Sequence, residues 1–431
     1  MGLGTRLAVG LCSLLLILGG EIGSASAAVS SRHETLKHEM EVRAARFFLD
    51  HSHPVSGLTR DSAENFGETP ESNRMASIAS TGFSLAVIVN AGARGLIPRE
   101  DAYAYALKTL SFARDHVPRR NGWFTHFLDW ETGVALSWSE YSTIDTALFL
   151  GGALYAREIF PGSEVARIAD QLYRETDFFD MLTDGGTKPD KLTLSMAYNE
   201  GRGYTESQWD MPAEQILLLM LGLGHPTRPL PAATWTAFRR DSLTLPDGRK
   251  LIGADMPLFI HQYSQLFLDL RSFRDGFGNY HENGALGTEF NRDVCRRETR
   301  YASFRAGFWG LSAGTSEGGY DVWGPMEYVS TVCIGCAAGS MMYAPEMVLS
   351  DIEAWLRGPY GNRLWGRYGL IDSLDVDANW YSSRVLGITV GPIYMSAANT
   401  EDESSFWKVL AGAPEIERAL RRASSARARA F

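Results

Sequence analysis

Apolar positions recur along this chain at helical spacing far more often than at strand spacing. The pattern predicts helices at about 34–52, 75–94, 99–117, 141–160, 163–180, 211–223, 260–274, 285–304, 337–357, 386–398 and 402–423. Asn90 to Gly95 ends one of these, Pro98 precedes the next, and Phe160-Pro161-Gly162 breaks another. The helices are of two kinds. Thr146–Leu154 and Ile216–Leu223 are apolar all round, so they demand burial on every side. Pro98–His116 and Ser163–Asp180 mix apolar and charged positions, as helices with one wet face do. Buried helices alternating with amphipathic ones predict an inner ring inside an outer ring, an all-α barrel. A solenoid would show a repeat of about 34 or 40 residues, and none is visible. Two short hairpins are expected, one over Trp123–Leu136 and one in the Gly-rich stretch Phe308–Trp323.

Composition narrows the class. The 431 residues are 45% apolar and 21% charged, as in a globular protein. The 11 Trp, 17 Tyr and 21 Phe suit a sugar-stacking cleft, although a core of this size accounts for most of them. A net charge of −10 argues against a nucleic-acid partner. Arg6, the apolar run Leu7–Leu18 and Ala25-Ser26-Ala27 read as a signal peptide over residues 1–27, which places the mature chain in the periplasm or outside the cell. No later segment is apolar for long enough to span a membrane. No linker divides residues 28–423, which read as one domain, with a frayed tail at 424–431. Cys333 and Cys336 have a spacing that fits a disulfide or two buried thiols, and no histidine lies near them to complete a zinc site.

Carboxylates at the starts of buried helices are the first candidates for chemistry, because loops leading into inner helices gather at one mouth. Glu214 directly precedes the all-apolar segment Ile216–Leu223. Burial there raises a carboxyl toward the protonated state an acid catalyst needs, while the helix N-terminus opposes the shift. A first-turn role after Pro212 is the competing structural reading. Asp129 and Glu131 lie in the aromatic hairpin with Trp123, His126 and Trp130, and a polar hairpin turn ending in Gly133 is the competing reading, stronger for Glu131 than for Asp129. Asp145 in Ser142-Thr-Ile-Asp145 fits a helix cap better than a site, and Glu140 is a weaker candidate. Asp372 is a loop carboxylate among aromatics. His261, Gln262 and Tyr263 open a helix and offer groups to sugar hydroxyls. His51 and His53 are too few for a metal site, and no phosphate loop, nucleophile elbow or zinc-protease motif is present.

Trp123–Asp129, Ser142–Leu148, Trp209–Glu214, Leu223–Pro229, Pro257–Ser264, Ala344–Glu346 and Leu364–Gly369 together resemble the glucoamylase-like (glycoamylase) domain family. The motifs stand in the family's order from about Gly57 to Asn399. The resemblance includes glycoside hydrolase family 144, whose members act on β-1,2-glucans. It implies an (α/α)6 toroid and an inverting hydrolase. It implies Glu214 as the general acid, strengthens Asp129, and places Asp372 as a base across the cleft. The chain departs from the family at Thr389, where an aspartate is common, around Gly310–Met326, and over Glu64–Arg74.

The reading is therefore an exported hydrolase of β-linked glucan that needs no metal or cofactor. Glu214 protonates the glycosidic oxygen, and Asp372 or Asp129 directs water. Trp123, His126, Trp130, Trp209, Asp210, His261, Gln262 and Tyr263 bind substrate. Two rivals share the scaffold. One is a silent glycan-binding envelope protein. The other is a polysaccharide lyase, for which His261 and Tyr263 are the only local hint.

Overall fold

Side-chain caps set many of the helix starts. Ser77, Ser142 and Ser163 each accept a backbone N–H at the head of a helix. Asn279 and Ser405 do the same, and Pro345 and Pro414 sit in first turns where a missing N–H costs nothing. The computed structural model describes residues 29–426 except 328 and 402–404. The expected signal peptide lies outside the described residues.

The helices are α1 (29–51), α2 (Ile78–Ala93), α3 (Arg99–His116), α4 (Thr143–Ile159), α5 (Glu164–Glu175), α6 (Phe178–Leu182), α7 (Ile216–Gly224) and α8 (Phe259–Phe267). They continue as α9 (Tyr280–Arg297), α10 (Ala302–Arg305), α11 (Ile334–Ala338), α12 (Pro345–Arg357), α13 (Gly387–Ala398), α14 (Phe406–Leu410) and α15 (Pro414–Ser425). Several expected helices prove to be two. The 337–357 pattern divides into α11 and α12 around Gly339 and Pro345, and 402–423 divides into α14 and α15 at Gly412–Pro414. The last helix runs through Ser425, past the expected start of the tail.

The contacts between helices form a closed sequence. The α2 helix packs on α4, α4 on α7, α7 on α8, α8 on α13, and α13 returns to α2. Four of these five also meet a helix with a wetter face: α3 on α2, α5 on α4, α15 on α7, α9 on α8. Every residue of α7 is buried, and α2 and α13 are buried almost throughout, as their unbroken apolar character requires. In contrast, α5 and α15 keep a charged face.

The α2–α4 pair is drawn close by glycine. A Cβ on Gly152 would lie 2.1 Å from the Gly82 carbonyl oxygen, and one on Gly82 would lie 2.5 Å from the Phe149 Cα. These are backbone obstacles that no rotamer change relieves. Gly152→Ala is expected to destabilise the fold by about 3 kcal/mol, read as a lowered thermal midpoint.

Among the described residues strand structure is confined to short antiparallel pairs and one three-stranded sheet, in which Ala197–Asn199 lies between Tyr141–Ser142 and Gly203–Tyr204. Ala313–Ser316 with Gly319–Val322 forms the expected Gly-rich hairpin. The other hairpin is rearranged: Trp123–Phe124 pairs with Arg119–Arg120, and Phe127–Asp129 pairs with Met75–Ser77. Only a Leu128–Ala135 bridge remains of the expected pairing. Cys333 and Cys336 form a disulfide, and Cys295 is free and buried. Among the described residues no helix is long and apolar enough to cross a membrane.

Candidate active site

A cavity of about 620 Å³ opens where the heads of the ring helices converge. Ser77 comes from the cap of α2, Asp145 from the first turn of α4, Glu214 from the approach to α7, Tyr263 from α8 and Ile388 from α13. One wall is the hairpin that carries Glu317 and Tyr320, and a second is the stretch with Trp380 and Arg384. Convergent helix N-termini favour anionic groups, and four carboxyl groups, Asp61, Asp145, Glu214 and Glu317, line the space.

Glu214 stands just ahead of α7 rather than inside its first turn, and its backbone carbonyl accepts a hydrogen bond of 2.5 Å from the Ser264 hydroxyl. Enclosure by protein pushes its carboxyl up to about 7, with Asp145 adding to the rise and its own backbone N–H opposing it. Burial thus outweighs the helix head. Asp61 is likewise pushed up to about 6 by burial, against the pull of His126 and a hydrogen bond with Ser77. His126 is held between two carboxylates: Nδ1 lies 2.7 Å from Glu140 Oε1, and Nε2 lies 3.3 Å from Asp145 Oδ1. Burial alone would discharge this imidazole, but Asp145, Glu140 and Asp61 outweigh it and push the ring up to about 9. His126 is therefore an imidazolium at neutral pH, a positive group among the cavity's acids.

Of the residues expected from sequence, Glu214, His126 and Tyr263 come together in this cavity. The two expected bases do not join them. Asp372 is fully buried behind the wall, where it accepts from Thr315 N (2.7 Å), Thr315 Oγ1 (2.8 Å), Ser373 Oγ (2.8 Å) and Thr389 Oγ1 (2.7 Å). Three of these four donors engage Oδ2, and Asp372 is not among the residues that line the cavity. Asp129 is chelated by Arg74 at 2.7 and 2.8 Å and also caps the turn at Thr132, which holds its carboxyl far below the usual range.

The expected sugar platforms are also displaced. Trp123 is fully buried against Phe178, and Trp209 is 6% exposed with its indole N–H donated to Thr143. Trp130 is sandwiched between His53 and Arg60, and its N–H goes to the His51 carbonyl. Asp210 is exposed outside the cavity. His261 is buried beside Asn283, with its imidazole pushed down to about 4 by burial, and Gln262 is spent on Cys336 O and Ser340 Oγ. The His261–Tyr263 pair that hinted at a lyase is thereby split. Asp61, Tyr320 and Trp380 also line the cavity from strands and loops that carry no motif, and Phe127 lines it from within the Trp123–Asp129 motif. Asp145 was read as a cap; it is one, with Ser142 Oγ 2.5 Å from its Oδ2, and it faces the cavity as well. No group of three or more His, Cys, Asp or Glu side chains that could hold a metal occurs among the described residues.

Residues 206–414 match the family model Glycoamylase, described as "Putative glucoamylase". A curated exo β-1,2-glucooligosaccharide sophorohydrolase (non-reducing end) from Parabacteroides distasonis is 23% identical over 88% of this chain. The chain spans 56% of that relative's length. A solved endo-β-1,2-glucanase from Chitinophaga pinensis superposes with a TM-score of 0.82 at 24% identity, covering 91% of this chain and 98% of the other. A "putative glucoamylase" from Bacteroides uniformis superposes with a TM-score of 0.80 at 25% identity over 91% and 97%. The chain shares its fold with these proteins, and its residues 206–414 are similar to the glycoamylase family model.

Proposed function

We propose that this protein is an exported glycoside hydrolase that cleaves β-1,2-linked glucan or its oligosaccharides. The observation that carries the reading is Glu214: a carboxyl pushed up to about 7 in a cavity that also holds Asp61 and Asp145. Glycosidic cleavage needs one protonated carboxyl for the leaving oxygen and one ionised carboxyl for the water. Glu214 fills the first role. Asp61 fills the second, because both oxygens of Asp145 already face Ser142 and His126. Phe127, Tyr263, Tyr320 and Trp380 supply apolar surface for sugar rings. The substrate class follows from the relatives, whose names specify β-1,2-glucan and its oligosaccharides.

The closed sequence α2–α4–α7–α8–α13, backed by outer helices, supports an (α/α)6 toroid. The leader at residues 1–27 supports export, and a Cys333–Cys336 disulfide suits an oxidising compartment.

The test is release of reducing ends from a panel of β-1,2-, β-1,3-, β-1,4- and α-linked glucans. Turnover confined to the β-1,2 polymer or its oligosaccharides is expected. Binding without product from any of them would make this a glycan-binding protein instead.

The acid–base assignment has a pH signature. Glu214 must keep its proton, so kcat/KM falls as pH rises through about 7. Asp61 must lose its own, so kcat/KM falls again as pH drops through about 6. A narrow bell between these limits is expected in a pH–rate profile.

A further inference from the structure

The cavity has an aromatic continuation that none of the groups above accounts for. Phe127 lines the cavity and lies with its ring centroid 3.7 Å from that of His126. Trp138, which is 60% exposed, stands with its ring centroid 5.0 Å from that of Phe127. A tryptophan this open is unusual in a chain whose other large rings mostly pack inward. Its loop is held in place. Ser139 N donates to Leu136 O (2.9 Å), Phe127 N donates to Ser139 Oγ (2.8 Å), and Leu136 N donates to Phe127 O (3.0 Å). Among the described residues the Trp138 indole N–H has no hydrogen-bond partner, whereas those of Trp123, Trp130, Trp209 and Trp309 all do.

We propose that Trp138 is an outer sugar-binding platform, which takes a glucose unit of the chain running out of the cavity past Phe127 and so favours long glucans over short ones. The proposal rests on the glucan reading above. A flat ring face fixed by its loop stacks on the apolar face of a pyranose, and a free N–H is placed to donate to a hydroxyl. Short oligosaccharides that fill only the cavity do not reach it.

The test is calorimetric binding in the Glu214→Gln protein, which is used so that substrate survives the titration. The probes are a long β-1,2-glucan and a β-1,2-linked trisaccharide. The parent is expected to bind the long chain more tightly. Trp138→Ala should reduce that preference about fivefold to tenfold, and Trp138→Tyr should restore most of it because a ring face returns. Three results would overturn the platform: no chain-length preference in the parent, a preference that survives Trp138→Ala, or equal loss for both ligands. If the parent binds no β-1,2-glucan at all, the substrate reading falls and the platform falls with it.

Discussion

Glu214→Gln is expected to lower kcat by about a thousandfold, or about 4 kcal/mol of transition-state stabilisation, while KM changes by only a few-fold. The amide keeps the size and donor geometry of the protonated carboxyl but has no proton to give. The same substitution should leave the fold intact and stabilise it at alkaline pH. Enclosure raises the Glu214 carboxyl to about 7 in the folded chain, above its ordinary value of 4.5. The folded state therefore holds a proton that the unfolded state has released, and stability falls as pH rises from about 4.5 through 7. Glutamine does not titrate, so the variant escapes that loss. Thermal midpoints measured from pH 4.5 to 8.5 should converge with wild type at the acid end and exceed it at the alkaline end. A structural glutamate at a helix head predicts the reverse, with stability lost and turnover kept. Loss of activity together with gain of alkaline stability is the mark of a carboxyl buried for its chemistry rather than for packing.

Glu214 was legible in the sequence because two signals coincide there: an acid, then an unbroken apolar helix. The ring helices were legible for the same reason, since helices apolar on all faces must be enclosed. Their lengths were less so. Where Gly339, Gly412, Pro345 or Pro414 interrupts the pattern, local backbone cost overrides the periodicity and one expected helix becomes two. The tryptophans expected as platforms lie outside the cavity for one consistent reason. Trp123 and Trp209 have apolar neighbours in sequence, and a large ring with a satisfied N–H belongs in the core unless something holds it out. Trp138 is held out by a tight turn, which no periodicity reveals. Asp61 was invisible because its part depends on who faces it. Ser77, His126 and Asp145 arrive from three separate stretches of chain. Asp145 shows that a cap and a site are not exclusive, since the head of an inner helix is also the floor of the cavity.

Asp372→Ala is expected to cost about 3–5 kcal/mol and to leave little folded protein at 37 °C. The carboxylate is fully buried, and its removal strands the Thr315 backbone N–H and the hydroxyls of Ser373 and Thr389 without an acceptor. These donors come from different parts of the chain. Thr315 belongs to the hairpin that carries Glu317 and Tyr320 over the cavity, and Thr389 lies in α13. Thr315 Oγ1 also reaches Ser382 Oγ at 2.9 Å, on the stretch beside Trp380. Asp372 therefore pins two cavity walls to one ring helix from behind. Asp372→Asn keeps the shape but presents an N–H₂ where one oxygen accepted, so an intermediate loss of about 2 kcal/mol is expected. In that milder variant the walls loosen and KM should rise more than kcat falls; the upper pH limit of kcat/KM stays where Glu214 sets it, while the lower limit shifts down because Asp372 helps to raise the Asp61 carboxyl. Denaturant unfolding and a pH–rate profile of Asp372→Asn separate this from a base. A variant with native stability, unchanged KM and a collapsed kcat would restore Asp372 to the chemistry and remove Asp61 from it.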